Sequence, residues 1–230
     1  MKQIFRITLC ALLLAVSNLT AQTFEGTVHM KMTAGKEGPH QLSYSIKGSK
    51  LRTEIQAGNN MSATAIMDLT KDEVIMLMPG QPMYMTMSLK GTMAKATGND
   101  ISDTTLENTG ITETILGYTC TKYIARNKEG DVEIWATTDL GTFMGLGNSM
   151  GGMMGAAKKK ASWEEALTGK NFFPLRVKNA PGNRNQFTLE VTNIEKKSLP
   201  DSLFAPPAGY QKFDMGGMMQ GMMGGGQLNR

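Results

Sequence analysis

Between residues 23 and 89 the apolar side chains recur at every second position, a period that belongs to extended strands with one wet face and not to helices. Phe24, Gly26, Val28, Met30 and Met32 share one side of the first run, and Thr23, Glu25, Thr27, His29 and Lys31 share the other. Leu42, Tyr44 and Ile46 make a second run, and Leu51, Thr53 and Ile55 a third. Residues 61–69, 74–78 and 83–89 make the fourth, fifth and sixth strands. The breaks at 35–39, 48–49, 58–60, 70–73 and 79–82 are rich in Gly, Pro, Asn and Asp, the residues turns favour. Strands arriving about every ten residues with no helix between them predict an antiparallel meander and a mainly β protein.

Residues 115–137 form the other organising stretch. Tyr118, Cys120 and Lys122 alternate against Thr119, Thr121 and Tyr123. Val132, Ile134 and Ala136 alternate against Glu133, Trp135 and Thr137. The polar turn 127–130 between them predicts a β-hairpin, expected at the centre of the sheet. Strands at 104–108 and 111–116 lead into it after a polar loop at 91–103. Past Thr138 the rhythm changes. Phe143, Leu146, Met150, Met153 and Met154 recur near a helical period, although each glycine among them costs about 1 kcal/mol relative to alanine in a helix. A marginal helix or a loop ordered by packing is therefore expected there, within a short helical lid insertion at about 139–168. Ser162 followed by Glu165 reads as a capping box, opening a short helix over 163–167 that Gly169 ends. Strands return at 173–178 and 186–196. A helical turn is expected at 200–204 and an extended segment at 205–210. A Gly/Met-rich tail at 214–230 carries the composition of disorder.

The first 21 residues read as an export signal. Lys2 and Arg6 open it, residues 9–16 are apolar, and Ala21 precedes the expected cleavage point. The apolar run is shorter than the roughly 20 residues of a membrane span. Cys10 falls inside this leader. The expected product is periplasmic or otherwise exported, without a transmembrane segment, and its β domain runs over 22–213. Removing the leader takes two of the four net positive charges with it. Lys158, Lys159 and Lys160 are then the one basic cluster, which excludes a nucleic-acid-binding face. They suit at most transient contact with anionic lipid at a membrane surface, worth about 1 kcal/mol each. Cys120 stands alone in the exported chain, so an internal disulfide is excluded and a small buried hydrophobe is expected.

Catalysis needs positioned acids, bases or nucleophiles. The chain has 2 histidines, His29 and His40, and lacks the spaced His, Cys, Asp and Gly signatures of zinc, calcium, nucleophile-elbow or phosphate sites. A non-catalytic protein without a cofactor is expected. The unusual residue is methionine, at 20 positions. Met83, Met85 and Met87 fall on one face of one strand, near Met76 and Met78. Three readings stand side by side. The methionines fill a core, or they form an adaptable apolar lining, since a flexible thioether repacks around varied ligands. The third is Cu(I) coordination, which soft thioethers favour, with the tail residues Met218, Met219, Met222 and Met223 as the best candidates.

Taken in order, the motifs Leu116-Gly117-Tyr118-Thr119-Cys120-Thr121-Lys122-Tyr123, Glu133-Ile134-Trp135-Ala136-Thr137, Phe173-Pro174-Leu175-Arg176 and Leu203-Phe204-Ala205-Pro206-Pro207-Ala208-Gly209-Tyr210 resemble an exported bacterial family, domain of unknown function 4412. The resemblance runs from about Phe24 to Tyr210. Its signature positions are Gly117, Tyr118, Cys120, Tyr123, Trp135, Pro174, Phe204, Pro207, Gly209 and Tyr210. The ending is also similar to that of the LolA/LolB-like lipoprotein carriers. That likeness implies an unclosed β-barrel: a single strongly curved antiparallel sheet with helices over its concave face, where acyl chains are held. The Gly/Met-rich insertion and tail depart from the carrier pattern.

The leading expectation is a cell-envelope binding module for a lipid, a lipoprotein acyl chain or another apolar ligand. Its candidate lining is Met76, Met78, Met83, Met85 and Met87, with Phe143, Leu146, Met150, Met153 and Met154 from the insertion. A structural or stress-related envelope protein with a filled core is the alternative, and methionine-based Cu(I) binding the second.

Overall fold

The alternating runs become strands wherever the turn residues release them. In this computed structural model residues 24–34, 38–57, 61–91, 104–128, 130–145, 162–167, 170–180 and 187–213 are described. The first six strands are β1 (Gly26–Ala34), β2 (His40–Lys47), β3 (Lys50–Ala57), β4 (Met61–Asp68), β5 (Glu73–Leu77) and β6 (Met83–Ser88). They are followed by β7 (Thr105–Ile115), β8 (Tyr118–Arg126) and β9 (Val132–Thr137), the helix α1 (Ser162–Leu167), then β10 (Phe173–Asn179) and β11 (Phe187–Lys196). A 3-10 turn (Asp201–Phe204) precedes the short β12 (Gln211–Lys212).

All the strands join one 12-stranded sheet in the order β12-β6-β5-β4-β3-β2-β1-β11-β10-β9-β8-β7. Two meanders, β1–β6 and β7–β11, are joined where β1 pairs with β11 antiparallel. β12 alone runs parallel to its neighbour, β6. β12 and β7 stand at opposite ends of the order, so the sheet is unclosed. The fold is thus the expected unclosed antiparallel sheet, with little helix.

The register explains the bend. Irregularities interrupt pairing between His29 and Met30, between Pro174 and Arg176, and between Asn108 and Thr112. Bulges bend and twist a strand, and all three fall in the half of the sheet built from β1 and β7–β11. Pro174 is tolerated in an interior strand because the β10–β11 ladder covers Arg176–Lys178 and stops short of it. Rings on β2 and β10 meet across the concave side, with Tyr44 and Phe173 centroids 5.4 Å apart. Those strands are three spacings apart, about 14 Å in a flat sheet. At the β1–β11 junction Gly26 lies so close to the Glu195 carbonyl oxygen that a side chain there would collide with it.

Apolar residues divide between the two faces. The main core occupies the inner face and includes Val28, Met30, Tyr44, Ile55, Met76, Ile134, Phe173, Val177 and Leu189. A smaller core on the other face of β4 and β5 packs Ile66, Ile75 and Leu77 under Leu199 and Phe204. The segment 197–213 therefore works as a strap across the back of the sheet.

Two expectations need correction. The 115–137 hairpin does form, as β8 and β9, but it sits beside the edge strand β7 rather than at the centre. The 11-residue β7 is mostly polar and exposed, as suits an edge, and the two strands expected at 104–108 and 111–116 are its two halves about a bulge. The helical period expected from Phe143 onward does not begin there. Residues 141–145 carry no helix, and Gly141 (φ 82°) and Gly145 (φ 85°) hold backbone conformations that a right-handed helix excludes. Residues 146–161 lie outside the described residues, as do the leader and the tail.

Candidate functional site

Antiparallel pairing places directly opposed residues on the same face. Read across the first meander, one inner row is Val28, Tyr44, Thr53, Ala65, Met76 and Met85. The neighbouring row is Ile46, Leu51, Met67, Val74 and Met87. Large side chains thus stand at both ends of the first row, with small ones at Thr53 and Ala65 between them. From Tyr44 to Met85 the row crosses four strand spacings, about 19 Å.

An aromatic cluster closes one end. Tyr44 is fully buried, and its hydroxyl oxygen accepts a hydrogen bond from the Met144 N–H at 3.0 Å. Its ring packs against Phe143 at 5.6 Å, and Phe143 stacks on Trp163 at 5.9 Å. Trp163 continues to Phe187 at 5.7 Å. Burial holds the Tyr44 phenol far above its ordinary value; the Met144 N–H acts the other way, and the negative charge of Glu164 adds to the rise. This phenol therefore stays neutral.

The helix α1 delivers two of these groups. Trp163 (3% exposed) and Leu167 (0%) are the residues that fasten it to the inner face. Glu164 between them is also buried, at 6%. Its carboxylate fits because position 145 is glycine: a Cβ there would come within 3.0 Å of Glu164 Oε2. The Trp163 indole Nε1 is buried and has no hydrogen-bond partner among the described residues. An N–H withdrawn from water without an acceptor costs about 1–3 kcal/mol.

At the other end the methionines of β6 keep part of their surface. Met85 and Met87 pack against the main core but are only half-buried. Met83 is also half-buried and pairs with Gln211 of β12. Met76 is fully inside, at 1%, and Met78 lies just past the end of β5, half-buried. Five of the candidate lining residues thus gather on or beside β5 and β6, while Phe143 stands across the face in the aromatic cluster. Leu146, Met150, Met153 and Met154 lie outside the described residues, as do Met218, Met219, Met222 and Met223. No group of three or more His, Cys, Asp or Glu able to hold a metal occurs among the described residues.

The signature residues separate into two structural sets. Gly117 shapes the β7–β8 turn at φ 85°, and Tyr118 begins β8, half-buried. Cys120 is fully buried, and its Sγ points to the Tyr118 carbonyl at 3.6 Å. Burial pushes its thiol up to about 11. Tyr123 packs on Phe172 at 4.9 Å, and Lys122 Nζ lies 5.8 Å from the centre of the Trp135 ring. Pro174 is buried in β10. At the other end of the sheet Phe204 is buried in the back-face core, with Tyr210 packed against it. Tyr210 N–H donates to the Pro207 carbonyl at 3.1 Å, and Gly209 makes that turn at φ 85°. These residues hold two corners of the sheet and do not converge on one site.

Sequence reasoning did not single out Tyr44, Thr53, Ala65 or Glu164. Their alignment depends on pairing between strands that no single run reveals. Trp163 is buried among these rings, and its N–H has no acceptor among the described residues.

The family model of "Domain of unknown function (DUF4412)" matches residues 24–210. None of the curated proteins matches the chain. Among solved structures, PNGF-II is 16% identical with a TM-score of 0.47 over 87% of this chain. The match spans 32% of the length of that PNGF-II chain. The lipoprotein LppX of Mycobacterium tuberculosis is 9% identical with a TM-score of 0.36, covering 76% of this chain and 89% of that one. A DUF1329 family protein from Desulfovibrio piger is 8% identical with a TM-score of 0.25, covering 83% and 93%. With its fold described and its family model matched from Phe24 to Tyr210, the chain belongs to the DUF4412 family.

Proposed function

We propose that the protein is a non-catalytic, exported cell-envelope module that binds an apolar ligand, an acyl chain above all, on its inner face. The observation that supports this most is the inner row Tyr44–Thr53–Ala65–Met76–Met85. It is largely apolar, has small side chains in the middle, and ends in the buried Met76 and the half-buried Met85. Thioether side chains repack at low cost, which suits a lining that must be full when empty of ligand and yield when ligand enters. An acyl chain of about 14 methylenes at ~0.8 kcal/mol each gives roughly 11 kcal/mol of gross stabilisation. Ordering the chain and its lining removes part of that.

The test is to purify the protein from the cell envelope, extract it, and identify co-purified lipid by mass spectrometry. A fluorescent fatty acid is then titrated into delipidated protein. Stoichiometric lipid and saturable uptake are expected. Absence of both would remove the reading.

A second reading, a structural envelope protein with a filled core, has its own support. Thr53 and Ala65 are already excluded from solvent at 2% and 0% exposure. It predicts no co-purified lipid and no uptake in the same experiment.

A further inference from the structure

The inference rests on the acyl-binding reading and gives that ligand a chemical class. Trp163 is held by stacking on Phe143 at one side and by Phe187 on the other. Its indole N–H is buried without an acceptor among the described residues. A buried orphan donor in a native fold needs an account, and an acceptor on a ligand supplies one. Indole nitrogen donates and cannot accept, so the partner must offer a lone pair. Phe187 opens β11 and is itself half-buried, which puts Trp163 one ring away from the rim of the sheet. Inward from Trp163 lie Phe143 and Tyr44, and then the small side chains of Thr53 and Ala65. A ligand with its acceptor at the indole would direct its tail along that row toward Met76 and Met85.

We propose that Trp163 Nε1–H is the polar anchor of the site and donates to the carbonyl oxygen of an acyl ester. Plain alkanes, which offer no lone pair, are the poorer ligands.

The experiment uses the Trp135→Phe variant, in which Trp163 is the remaining one of the 2 tryptophans. Trp135 lies on the face of β9 opposite Ile134, away from the row. Methyl palmitate, palmitate and hexadecane are titrated against Trp163 fluorescence, and the indole N–H resonance is followed by NMR. The ester is expected to bind about tenfold more tightly than hexadecane, the worth of one buried hydrogen bond, and to move the indole N–H resonance. Palmitate, whose carboxylate also accepts, should likewise bind more tightly than hexadecane and move the indole resonance. Trp163→Phe, read by competition with a fluorescent acyl probe, should erase the ester's advantage and leave hexadecane affinity within about twofold. Equal binding of ester and alkane with an unmoved indole resonance overturns the anchor while leaving the acyl-binding reading in place. Failure of all three ligands overturns both. Should Trp163→Phe not fold, the resonance shift in the Trp163-containing protein decides the matter by itself.

Discussion

Leu116 occupies a backbone conformation that leucine avoids, with φ at 50°. Together with Gly117 it forms the two-residue turn linking Ile115 to Tyr118. A primed turn of this kind needs positive φ at both positions, and a side chain carrying Cβ costs about 1–2 kcal/mol there. The Leu116 side chain is 50% exposed, so packing offsets little of that cost. Leu116→Asn is expected to stabilise the protein by about 1 kcal/mol, seen as a higher urea midpoint with an unchanged slope. A lower midpoint would mean that the leucine makes a contact worth more than the strain. Two positions into β8, Cys120 has the opposite character: nothing about its backbone is strained, but its thiol is buried and raised to about 11. A thiolate is the reacting species, so the native protein should resist Ellman's reagent at neutral pH and react in denaturant. Rapid labelling of the native state would show that β8 opens.

The strap over 197–213 is the element whose chemistry is most open to pH. Lys47 Nζ donates to the Leu199 carbonyl at 2.6 Å, and Arg52 Nη1 donates to the Leu203 carbonyl at 3.0 Å. Asp201 faces both Lys47 and Lys50 at 3.3 Å. Hydrogen bonds from Lys47 and then Lys50 hold its carboxyl below the usual aspartate value. A carboxyl depressed in the folded state stabilises the fold above its unfolded value, near 4, and that contribution is lost as pH falls through the folded value. Asp201→Asn should therefore lower the thermal midpoint at neutral pH and make little difference once the pH is well below about 4. An equal loss at both pH values would assign the effect to packing of the strap instead. Much of the element list was legible in the chain itself. One-face alternation located the strands of the first meander, and Ser162 with Glu165 announced α1. The strap's position was not legible, because Ile66, Ile75 and Leu77 look like ordinary strand residues until the back face they share is known. The hairpin was misplaced for a related reason. Nothing in its own alternation marks an end of the sheet, and the polar β7 beside it is what makes that region an edge.

At the scale of the whole molecule, the question is whether the inner face yields to a ligand or is packed for good. The row through Thr53 and Ala65 could not be read from sequence, because it exists only once five neighbouring strands are held in one register. Ala65 is the position at which the two outcomes diverge. A ligand that binds the folded state alone stabilises it by about 2.7 kcal/mol at a hundred times its dissociation constant. For a domain of this size that corresponds to a rise of roughly 5–10 °C in the thermal midpoint. Ala65→Phe would place a ring between Tyr44 and Met76, in the part of the row an acyl chain needs. Overpacking should lower the unliganded midpoint, at a cost of about 1–3 kcal/mol. The informative quantity is the shift on adding methyl palmitate, which is expected in the native protein and absent in the variant. A variant that keeps the full shift would place the ligand elsewhere. No shift in either protein would favour a face already filled by Tyr44, Phe143 and the methionines, with the thioethers serving as core and nothing more.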